Sequence, residues 1–410
     1  MLQSDLKPAT SVVPASGLSL YVHVPFCKTK CPYCDFNTYQ GIEHLIGPYL
    51  GALTTELQLW GHVLDRPLVN TVFFGGGTPS YLPVGSIDRM LDTIRSAFNL
   101  NVDAEITVEA NPGDLEVEAC RRLINHGVNR LSIGVQSLDD GLLALLGRRH
   151  SAEQAICAFQ SAQEAGFSNV NLDLMYGLPG QTLTHWETTL QRLLGSCPNH
   201  ISLYCLTLEE GTPLHRWVQQ GKYPEPDPDL AADMYQSARR LLSDAGYRHY
   251  EISNWALPGL DCRHNMAYWL NLPYLGVGPG AHSRLGSFRF WAVDSPVTYI
   301  AAVKQWYESG PEPFDRLDDQ LLQAVSPVAN QEYIDVDTAC AETMFLQLRL
   351  LDGMDLQQAS ASVGTDLGER YRVEIKDLIE LGLLQQNGSN LRLTSSAYLI
   401  ANQVFTRFVA

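Results

Sequence analysis

The chain has 410 residues, nine cysteines and a formal net charge of −17. This length exceeds the size at which one hydrophobic core stops growing, so we expect a large domain and at least one smaller one. The negative net charge opposes non-specific attraction to nucleic acid and to anionic lipid surfaces. A nucleic-acid-binding protein and a membrane-surface protein are therefore both disfavoured interpretations.

The first 17 residues, MLQSDLKPATSVVPASG, are polar and are expected to form a flexible arm. They do not resemble a secretory signal, and the long uncharged run at residues 264–283 is interrupted by Pro273 and Pro279, which argues against a membrane span. We therefore expect a cytoplasmic protein. In that setting an odd number of cysteines favours metal-bound or buried thiols over disulfides.

Residues 18–253 alternate short β-branched or aromatic runs with longer amphipathic segments, a pattern typical of repeated βα units. The predicted strands are residues 18–24, 71–75, 105–110, 130–135, 169–176, 200–206 and 247–253. Several of the intervening helical segments end in glycine, as a helix C-cap would. Six or seven parallel strands predict an α/β fold with a full or partial TIM-like barrel, (β/α)6 in the partial case.

Unusual residues follow the predicted strands. Cysteines follow the first strand, three glycines (residues 75–77) follow the second, and Glu109, Gln136 and Asp173 lie at or near the ends of the next three. In a parallel barrel the carboxyl ends of the strands form the face where chemistry takes place. We therefore expect these residues to converge on one site.

Cys27, Cys31 and Cys34 follow the spacing CxxxCxxC. Thiolates suit iron-sulfur clusters or zinc. Structural zinc sites and cubane clusters normally take four protein ligands, so three cysteines leave one position open for an outside molecule. The alternative is a zinc site completed by a distant residue such as Cys262 or His264. Of the remaining five cysteines, Cys120, Cys157, Cys205 and Cys340 are interpreted as small hydrophobic residues, and Cys197, at the end of a predicted helix, is uninformative.

Residues 254–336 are irregular in pattern and rich in Gly, Pro and aromatic residues, and we expect an extension or linker there. Residues 337–410 predict three helices followed by a hairpin around Asn387-Gly388, which indicates a winged-helix-like α+β domain. The segment 367–382 carries three basic and four acidic residues, a poor balance for phosphate contacts. We therefore predict packing or partner docking there, and no nucleic-acid binding.

Six motifs in this order resemble radical S-adenosylmethionine (SAM) proteins of the oxygen-independent coproporphyrinogen III dehydrogenase group: YVHVPFCKTKCPYC, FFGGGTPS, VEANPG, LSIGVQSL, LGRRH and NLDLMYGLPGQT. The resemblance covers residues 18–283 and implies a radical SAM barrel, and the C-terminal module fits the group's accessory domain. It also implies a [4Fe-4S] cluster on the three cysteines, with the amino and carboxylate groups of SAM on the fourth iron. Reductive cleavage of SAM is the chemistry of that superfamily.

The same resemblance assigns roles to single residues. It implies that Tyr21 and Tyr33 flank the cluster and SAM, and that Gly76, Gly77 and Thr78 contact the methionine moiety. It implies that Glu109 and Arg148 meet the charged methionine end, and that Gln136 and Asp173 bind the ribose hydroxyls. The alternatives are ordinary core aromatics, a tight glycine turn and structural ion pairs.

Two features separate branches of this group. The true dehydrogenases carry a further cysteine two residues after the last ligand and a longer N-terminal arm, whereas this chain has Phe36 there and only 26 residues before Cys27. Both features resemble the haem chaperone (HemW) family. That resemblance implies binding of haem and its delivery to haem proteins such as respiratory cytochromes, including membrane-associated recipients. The alternative is a coproporphyrinogen III dehydrogenase or another radical SAM enzyme acting on a tetrapyrrole.

The segment CRHNMAYW contains His264-Asn265 and Tyr268-Trp269, which resembles the His-Asn-x-x-Tyr-Trp segment of the HemW family. Neutral imidazole is a usual axial ligand of haem iron. We therefore predict His264 as the haem ligand, with Cys262 and His282 as alternatives.

Overall fold

A computed structural model describes residues 12–314 and 316–409. Most of the predicted flexible arm, residues 1–11, lies outside the described residues. Val13 is buried against the main core, so the end of that segment packs on the protein.

Twelve strands form one sheet. Their bounds are β1 Leu18–Val24, β2 Leu68–Gly76, β3 Asn99–Ala110, β4 Arg130–Gln136, β5 Val170–Tyr176, β6 His200–Cys205, β7 Arg248–Glu251, β8 Asn254–Ala256, β9 Tyr274–Val277, β10 His282–Leu285, β11 Phe288–Ala292 and β12 Val328–Tyr333. Strands β1 to β6 are parallel and neighbour one another in sequence order. The predicted partial α/β barrel is therefore confirmed.

Eleven helices accompany this sheet in the described part of the chain. They are α1 Ile46–Val63, α2 Ser86–Ala97, α3 Val117–Asn125, α4 Asp140–Leu145, α5 Ala152–Ala165, α6 Leu183–Leu194, α7 Pro213–Gln219, α8 Pro228–Asp244, α9 Arg263–Trp269, α10 Pro296–Glu308 and α11 Asp319–Ala324. Local sequence sets their ends: Ser151 and Gln154 form a capping box that starts α5, and Gly166, with φ of 109°, ends it.

The prediction for residues 247–253 is wrong in one respect. They contain β7, which pairs antiparallel with β8, and β8 pairs antiparallel with β6. The seventh parallel strand is β9, which pairs with β1 on the opposite side of the sheet. Strand type depends on the partner strand, and a four-residue run such as YLGV carries no signal of its partner.

The expectation of an irregular linker at residues 254–336 is also wrong. Strands β8 to β12 lie in the main sheet, and residues of α10 and α11 belong to the main hydrophobic core. The segment looked irregular because its strands are three to six residues long and its turns are rich in glycine and proline.

The C-terminal domain has a core of its own. Its elements are α12 Val336–Gln347, β13 Met354–Asp355, α13 Leu356–Val363, α14 Leu367–Arg370, α15 Arg372–Glu380, β14 Leu384–Asn387, β15 Asn390–Leu393 and α16 Ala401–Phe405. The three helical segments and the hairpin occur where they were predicted, and β13 adds a third strand to the hairpin. The domain contacts the barrel through Arg349, whose Nη2 lies 3.3 Å from Oε2 of the fully buried Glu251.

In the described part of the chain, no helix combines the length and apolar character that crossing a lipid bilayer would require.

Candidate functional site

A cavity of about 470 Å³ lies at the carboxyl ends of the parallel strands. Eleven of the predicted site residues line it: Cys27, Cys31, Tyr33, Cys34, Gly76, Gly77, Thr78, Glu109, Gln136, Arg148 and Asp173. They come from the ends of β1 to β5 and from the loops that follow, as expected for chemistry on a parallel barrel. We call this space the strand-end cavity.

The cysteine loop is held by backbone hydrogen bonds. The amide of Cys27 donates to the carbonyl of Tyr39 at 2.9 Å, and the amide of Tyr39 donates to the carbonyl of Pro25 at 2.7 Å. Burial raises the pKa of the Cys27 and Cys34 thiols, so a metal that binds them must displace their protons.

Two donors approach the sulfurs from other loops, Thr78 after β2 and Arg148 after α4. Thr78 Oγ1 donates to Cys27 Sγ at 3.5 Å, and Arg148 Nη1 donates to Cys31 Sγ at 3.6 Å. Such donors stabilise thiolates that ligate iron. Among the described residues, no three His, Cys, Asp or Glu side chains are grouped closely enough to hold a single metal ion. The three cysteine thiols all line the strand-end cavity. Cys262 and His264, the residues considered as a fourth ligand of a zinc site, do not line it.

The glycines after β2 bring the backbone to the cavity wall. Gly76 has φ of 105°, and a Cβ on Gly77 would lie 2.7 Å from the carbonyl oxygen of Phe26 and 3.1 Å from Cys27 Sγ. A side chain at Gly77 would therefore collide with the cysteine loop. Only glycine permits this approach, so a ligand can contact the main chain here.

Glu109 and Arg148 bring a carboxyl group and a guanidinium to the same cavity. Glu109 Oε2 accepts a hydrogen bond from the amide of Gly76 at 3.1 Å. Burial raises the pKa of the Glu109 carboxyl to about 8, and Asp173 adds to the rise. Arg148 Nη2 donates to the carbonyl of Gly134 at 2.8 Å, while its buried Nε has no hydrogen-bond partner among the described residues. This pair suits a zwitterionic ligand end.

Gln136 and Asp173 lie on the next two strands. Gln136 has φ of 66°, a left-handed conformation that costs a non-glycine residue about 1–3 kcal/mol and is typical of functional sites. Asp173 accepts hydrogen bonds from Ser132 Oγ at 3.0 Å and from Asn171 Nδ2 at 2.8 Å. Burial raises its pKa, and these donors oppose the rise. Both polar side chains can therefore meet hydroxyl groups of a ligand.

Tyr21 does not line the strand-end cavity. Its hydroxyl lies 3.0 Å from Nδ1 of His23, and its ring stacks on Phe73 with centroids 6.3 Å apart. Direct contact of Tyr21 with a ligand in that cavity is not supported by this placement.

His264, predicted as the haem ligand, lies in a packed environment in the structure. The side chain is 1% exposed, Nδ1 lies 2.7 Å from Thr71 Oγ1, and Nε2 lies 3.1 Å from the hydroxyl of Tyr268. Burial lowers the pKa of the imidazole to about 3. Both ring nitrogens are thus occupied within a neutral, packed environment.

The alternatives to His264 are placed differently from each other. Cys262 is fully buried, and its Sγ lies 3.6 Å from Oε1 of Glu105. His282 is exposed and stacks on Trp291 with ring centroids 5.3 Å apart. Neither residue lines the strand-end cavity. Of the three candidates, only His282 is therefore accessible at the surface in this structure.

Sequence reasoning missed Tyr204 and Cys205, which also line the strand-end cavity. Cys120 and Cys340 are buried as interpreted, but Cys157 and Cys205 are exposed, so that interpretation is wrong for them. Their position could have identified them, because Tyr204 and Cys205 lie at the end of β6 and the ends of β1 to β5 were already expected to form the site.

Comparison with known proteins agrees with this architecture. Residues 21–193 match the radical SAM superfamily, and residues 334–400 match the HemN C-terminal domain. A protein of Mycobacterium tuberculosis named heme chaperone HemW is 38% identical over 400 residues, which cover 97% of this chain and 96% of that protein. The chain belongs to the HemW family.

A Bacillus subtilis protein of the same name is 35% identical to this HemW-family chain, over 95% of this chain and 99% of that protein. Among solved structures, coproporphyrinogen III oxidase (HemN) of Escherichia coli, a radical SAM enzyme, is similar with a TM-score of 0.80 and 24% identity, covering 96% of this chain and 90% of that one. The similarity to HemN shows that the two proteins share a fold. The resemblance seen in the six motifs is confirmed.

Proposed function

We propose that this chain is a haem chaperone, which binds haem and delivers it to haem proteins such as respiratory cytochromes. The single observation that carries the proposal is identity of 35–38% to proteins named heme chaperone HemW along nearly the whole length of both chains. Agreement over the complete length includes the C-terminal domain and not only the radical SAM barrel.

We further propose that Cys27, Cys31 and Cys34 hold a [4Fe-4S] cluster whose fourth iron binds SAM. A cubane with three protein thiolates needs one outside ligand, and the strand-end cavity adjoins all three thiols. When bound, SAM supplies a sulfonium bond that a reduced cluster can cleave.

The residues of the cavity suit the parts of SAM. Glu109 and Arg148 would hold its amino and carboxylate ends, because one offers an acceptor and the other a guanidinium. The backbone of Gly76 and Gly77 and the hydroxyl of Thr78 would border the methionine moiety. Polar groups of Gln136 and Asp173 would then bind the ribose hydroxyls.

The competing function is an enzyme, either coproporphyrinogen III dehydrogenase or another radical SAM enzyme acting on a tetrapyrrole. Phe36 speaks against the first enzyme, since the dehydrogenases carry a cysteine at that position. Its side chain is 65% exposed and lines the strand-end cavity, so the position where a catalytic thiol would project holds an apolar ring.

The C-terminal domain supports protein partners over nucleic acid. The basic residues of its helices are paired: Arg370 with Asp337 at 3.0 Å, Arg372 with Glu369 at 3.7 Å, and Lys376 with Glu380 at 3.7 Å. Paired cations contribute little to phosphate binding.

One set of experiments separates the two functions. The full chain, reconstituted with iron and sulfide without oxygen, is titrated with haemin and then mixed with an apo-cytochrome. We expect a haemin-dependent Soret band and its transfer to the cytochrome. With SAM, a reductant and coproporphyrinogen III, we expect no protoporphyrinogen IX. Formation of that product, or failure to bind haemin, would overturn the chaperone proposal.

A further inference from the structure

A series of buried hydrogen bonds begins at Asp173 in the strand-end cavity and continues into the barrel interior. Its first members lie in register on three neighbouring strands: Ser132 of β4 pairs with Asn171 of β5, and Asn171 pairs with His200 of β6. In a parallel barrel such residues share one layer of the interior. Asn171 is 2% exposed and His200 is fully buried, and neither lines the strand-end cavity. We call these four residues, together with Tyr250, the Asp173 network.

The Asn171 amide has one consistent orientation. Its Nδ2 lies 2.8 Å from Oδ1 of Asp173 and 2.7 Å from Oγ of Ser132. Its Oδ1 lies 2.6 Å from Nδ1 of His200 and 3.1 Å from Oγ of Ser202. Nδ2 therefore donates both of its hydrogens, and Oδ1 accepts two hydrogen bonds. The reverse orientation would set the amide oxygen against the carboxylate, which has no hydrogen to donate.

The same contacts fix the proton of His200. Because Oδ1 of Asn171 can only accept, Nδ1 of His200 carries the hydrogen. Nε2 is then an acceptor, and the hydroxyl of Tyr250 donates to it at 2.8 Å. The Tyr250 oxygen accepts in turn from the amide of Cys262 at 3.3 Å. Burial lowers the pKa of His200 well below its ordinary value, and Arg130 adds to the fall, so the imidazole is neutral.

The network leaves part of the Asp173 carboxylate free for a ligand. Oδ1 accepts from Asn171 at 2.8 Å, and Oδ2 accepts from Ser132 Oγ at 3.0 Å. A carboxylate oxygen can accept two hydrogen bonds, so each oxygen keeps one position for a ligand hydroxyl. Burial raises the pKa of Asp173, and the hydrogen bonds from its neighbours oppose that rise. These donors therefore favour the ionised carboxylate, which is the stronger acceptor.

We propose that His200 is a positioning residue for the ribose of SAM. Its Nδ1 holds the Asn171 amide, and the amide holds the Asp173 carboxylate in the arrangement that accepts the two ribose hydroxyls. This inference rests on the proposed SAM site and adds to it a residue that does not touch SAM. A carboxylate fixed before binding loses little conformational freedom when the ligand arrives, and that saving appears as affinity.

The test compares two ligands that differ only in the ribose hydroxyls: S-adenosylhomocysteine and its 2′,3′-dideoxy counterpart. Both keep the amino, carboxylate and adenine groups, and neither has the sulfonium group that a reduced cluster cleaves. Calorimetric titration of the anaerobically reconstituted full chain measures both affinities. We expect the original chain to bind S-adenosylhomocysteine about tenfold more tightly than the dideoxy ligand.

His200→Phe removes both ring nitrogens and keeps a flat ring at the buried position. The preference for the ribose hydroxyls should fall from about tenfold to about twofold, with the affinity for the dideoxy ligand unchanged. His200→Asn is the conservative variant, since its amide nitrogen is bonded to Cγ as Nδ1 is in histidine, and it should recover most of the preference. Asp173→Asn should abolish the preference, and adding His200→Phe should then change nothing further.

Ser202→Ala provides a milder variant in case His200→Phe does not fold. It removes the second donor to Oδ1 of Asn171 and should lower the preference by about twofold. Thermal unfolding and iron content verify the fold and the cluster of each variant.

His249→Phe is the matched control, because His249 of β7 lies outside the Asp173 network. Its Nε2 lies 3.2 Å from the carbonyl oxygen of Ile252 and 3.5 Å from the hydroxyl of Tyr235. This variant should keep the preference of the original chain.

The outcomes separate the two proposals. If the original chain binds neither ligand, the proposed SAM site fails and the role of His200 fails with it. If the original chain binds both ligands equally, the assignment of Asp173 to the ribose fails, and so does the role of His200. If the original chain prefers the hydroxyls, and folded His200→Phe keeps the whole preference or loses equal affinity for both ligands, the positioning role alone is overturned.

Discussion

The strand-end cavity and a second cavity differ in chemistry. The second cavity, of about 450 Å³, lies between the barrel and the C-terminal domain and is called the interdomain cleft; Tyr204 and Cys205 line both spaces. Ionisable residues of both kinds line the strand-end cavity: Lys28, Asp35, Glu109, Arg148, Arg149, Asp173 and Glu209. The interdomain cleft is lined mainly by aromatic and aliphatic side chains, and Arg349 is the one charged residue among the described residues of its lining. The strand-end cavity therefore offers polar partners to a ligand, whereas the cleft offers mainly apolar contact.

The sharpest test removes the cluster ligands and asks whether haem binding is independent of the strand-end cavity. In a chain with Cys27→Ala, Cys31→Ala and Cys34→Ala, the iron-sulfur absorption should vanish, and iron should fall from about four atoms per chain to nearly none. Haemin binding should persist, because the three thiols are assigned to the cluster and not to haem iron. Iron analysis and a haemin titration of the same sample measure both. Loss of haemin binding together with the cluster would mean that haem binding depends on the strand-end cavity.

The next test concerns the close approach of backbone at the strand-end cavity. Gly77→Ala places a Cβ against the carbonyl of Phe26, and overpacking of this kind costs about 1–3 kcal/mol of unfolding free energy. SAM binding should also fall tenfold or more. Gly51→Ala in α1 is the control, since nothing lies within 4 Å of its added Cβ. Urea unfolding and SAM titration check the effect, and equal behaviour of the two variants would contradict it.

A third test uses the buried carboxyl of Glu109. Its folded pKa of about 8 lies above the ordinary value of 4.5, so its contribution to stability is fully present below pH 4.5 and is lost as the pH rises through 8. Glu109→Gln removes that loss. Between pH 5 and pH 8, the free energy of unfolding of the SAM-free variant should therefore rise by roughly 1–2 kcal/mol relative to that of the original chain. SAM binding should weaken about tenfold, which corresponds to about 1.4 kcal/mol.

Denaturant unfolding at pH 5 and pH 8 measures this difference, with the exposed Glu210→Gln as a matched control. Parallel pH profiles for Glu109→Gln and the original chain would show that Glu109 does not titrate in this window.

The smallest effect on ligands is expected from His264. His264→Ala leaves the hydroxyls of Thr71 and Tyr268 without their partner, which should lower the unfolding free energy by about 1–3 kcal/mol. The Soret band of bound haemin should keep its position, because both ring nitrogens of His264 are already engaged within the protein. Thermal unfolding and absorption spectra measure the two effects. A changed Soret band in a stable His264→Ala chain would identify His264 as the axial ligand.

The residues of the strand-end cavity could be predicted from the sequence because their placement follows from local order. Most of them lie in or just after a recognisable strand, and the carboxyl ends of parallel strands must meet on one face. Arg148, in the loop after α4, was assigned by the resemblance instead. That argument covers Cys27, Glu109 and Asp173 although they are far apart in the chain. The same argument, applied to the end of β6, would also have found Tyr204 and Cys205.

The interdomain cleft could not be predicted in this way, because its wall joins elements of two domains whose contact no local pattern records. The position of His264 shows the same limit. Its sequence context resembles a haem-binding segment, yet Thr71 of β2 and Tyr268 enclose the imidazole once the chain has folded. Likewise, β9 is parallel because it reaches β1, a partner more than 200 residues earlier.

By itself, the sequence determined the family, the six successive parallel strands and the three thiols beside glycine, carboxylate and guanidinium groups. Periodicity and spacing suffice for the strands and the thiols, because they act within single elements or at strand ends that converge, whereas the family and the guanidinium of Arg148 followed from the resemblance of the six motifs. Only the tertiary structure decided which polar groups stay available to a ligand. Availability depends on burial and on hydrogen-bond partners from distant segments, which buried His264 and exposed Cys205.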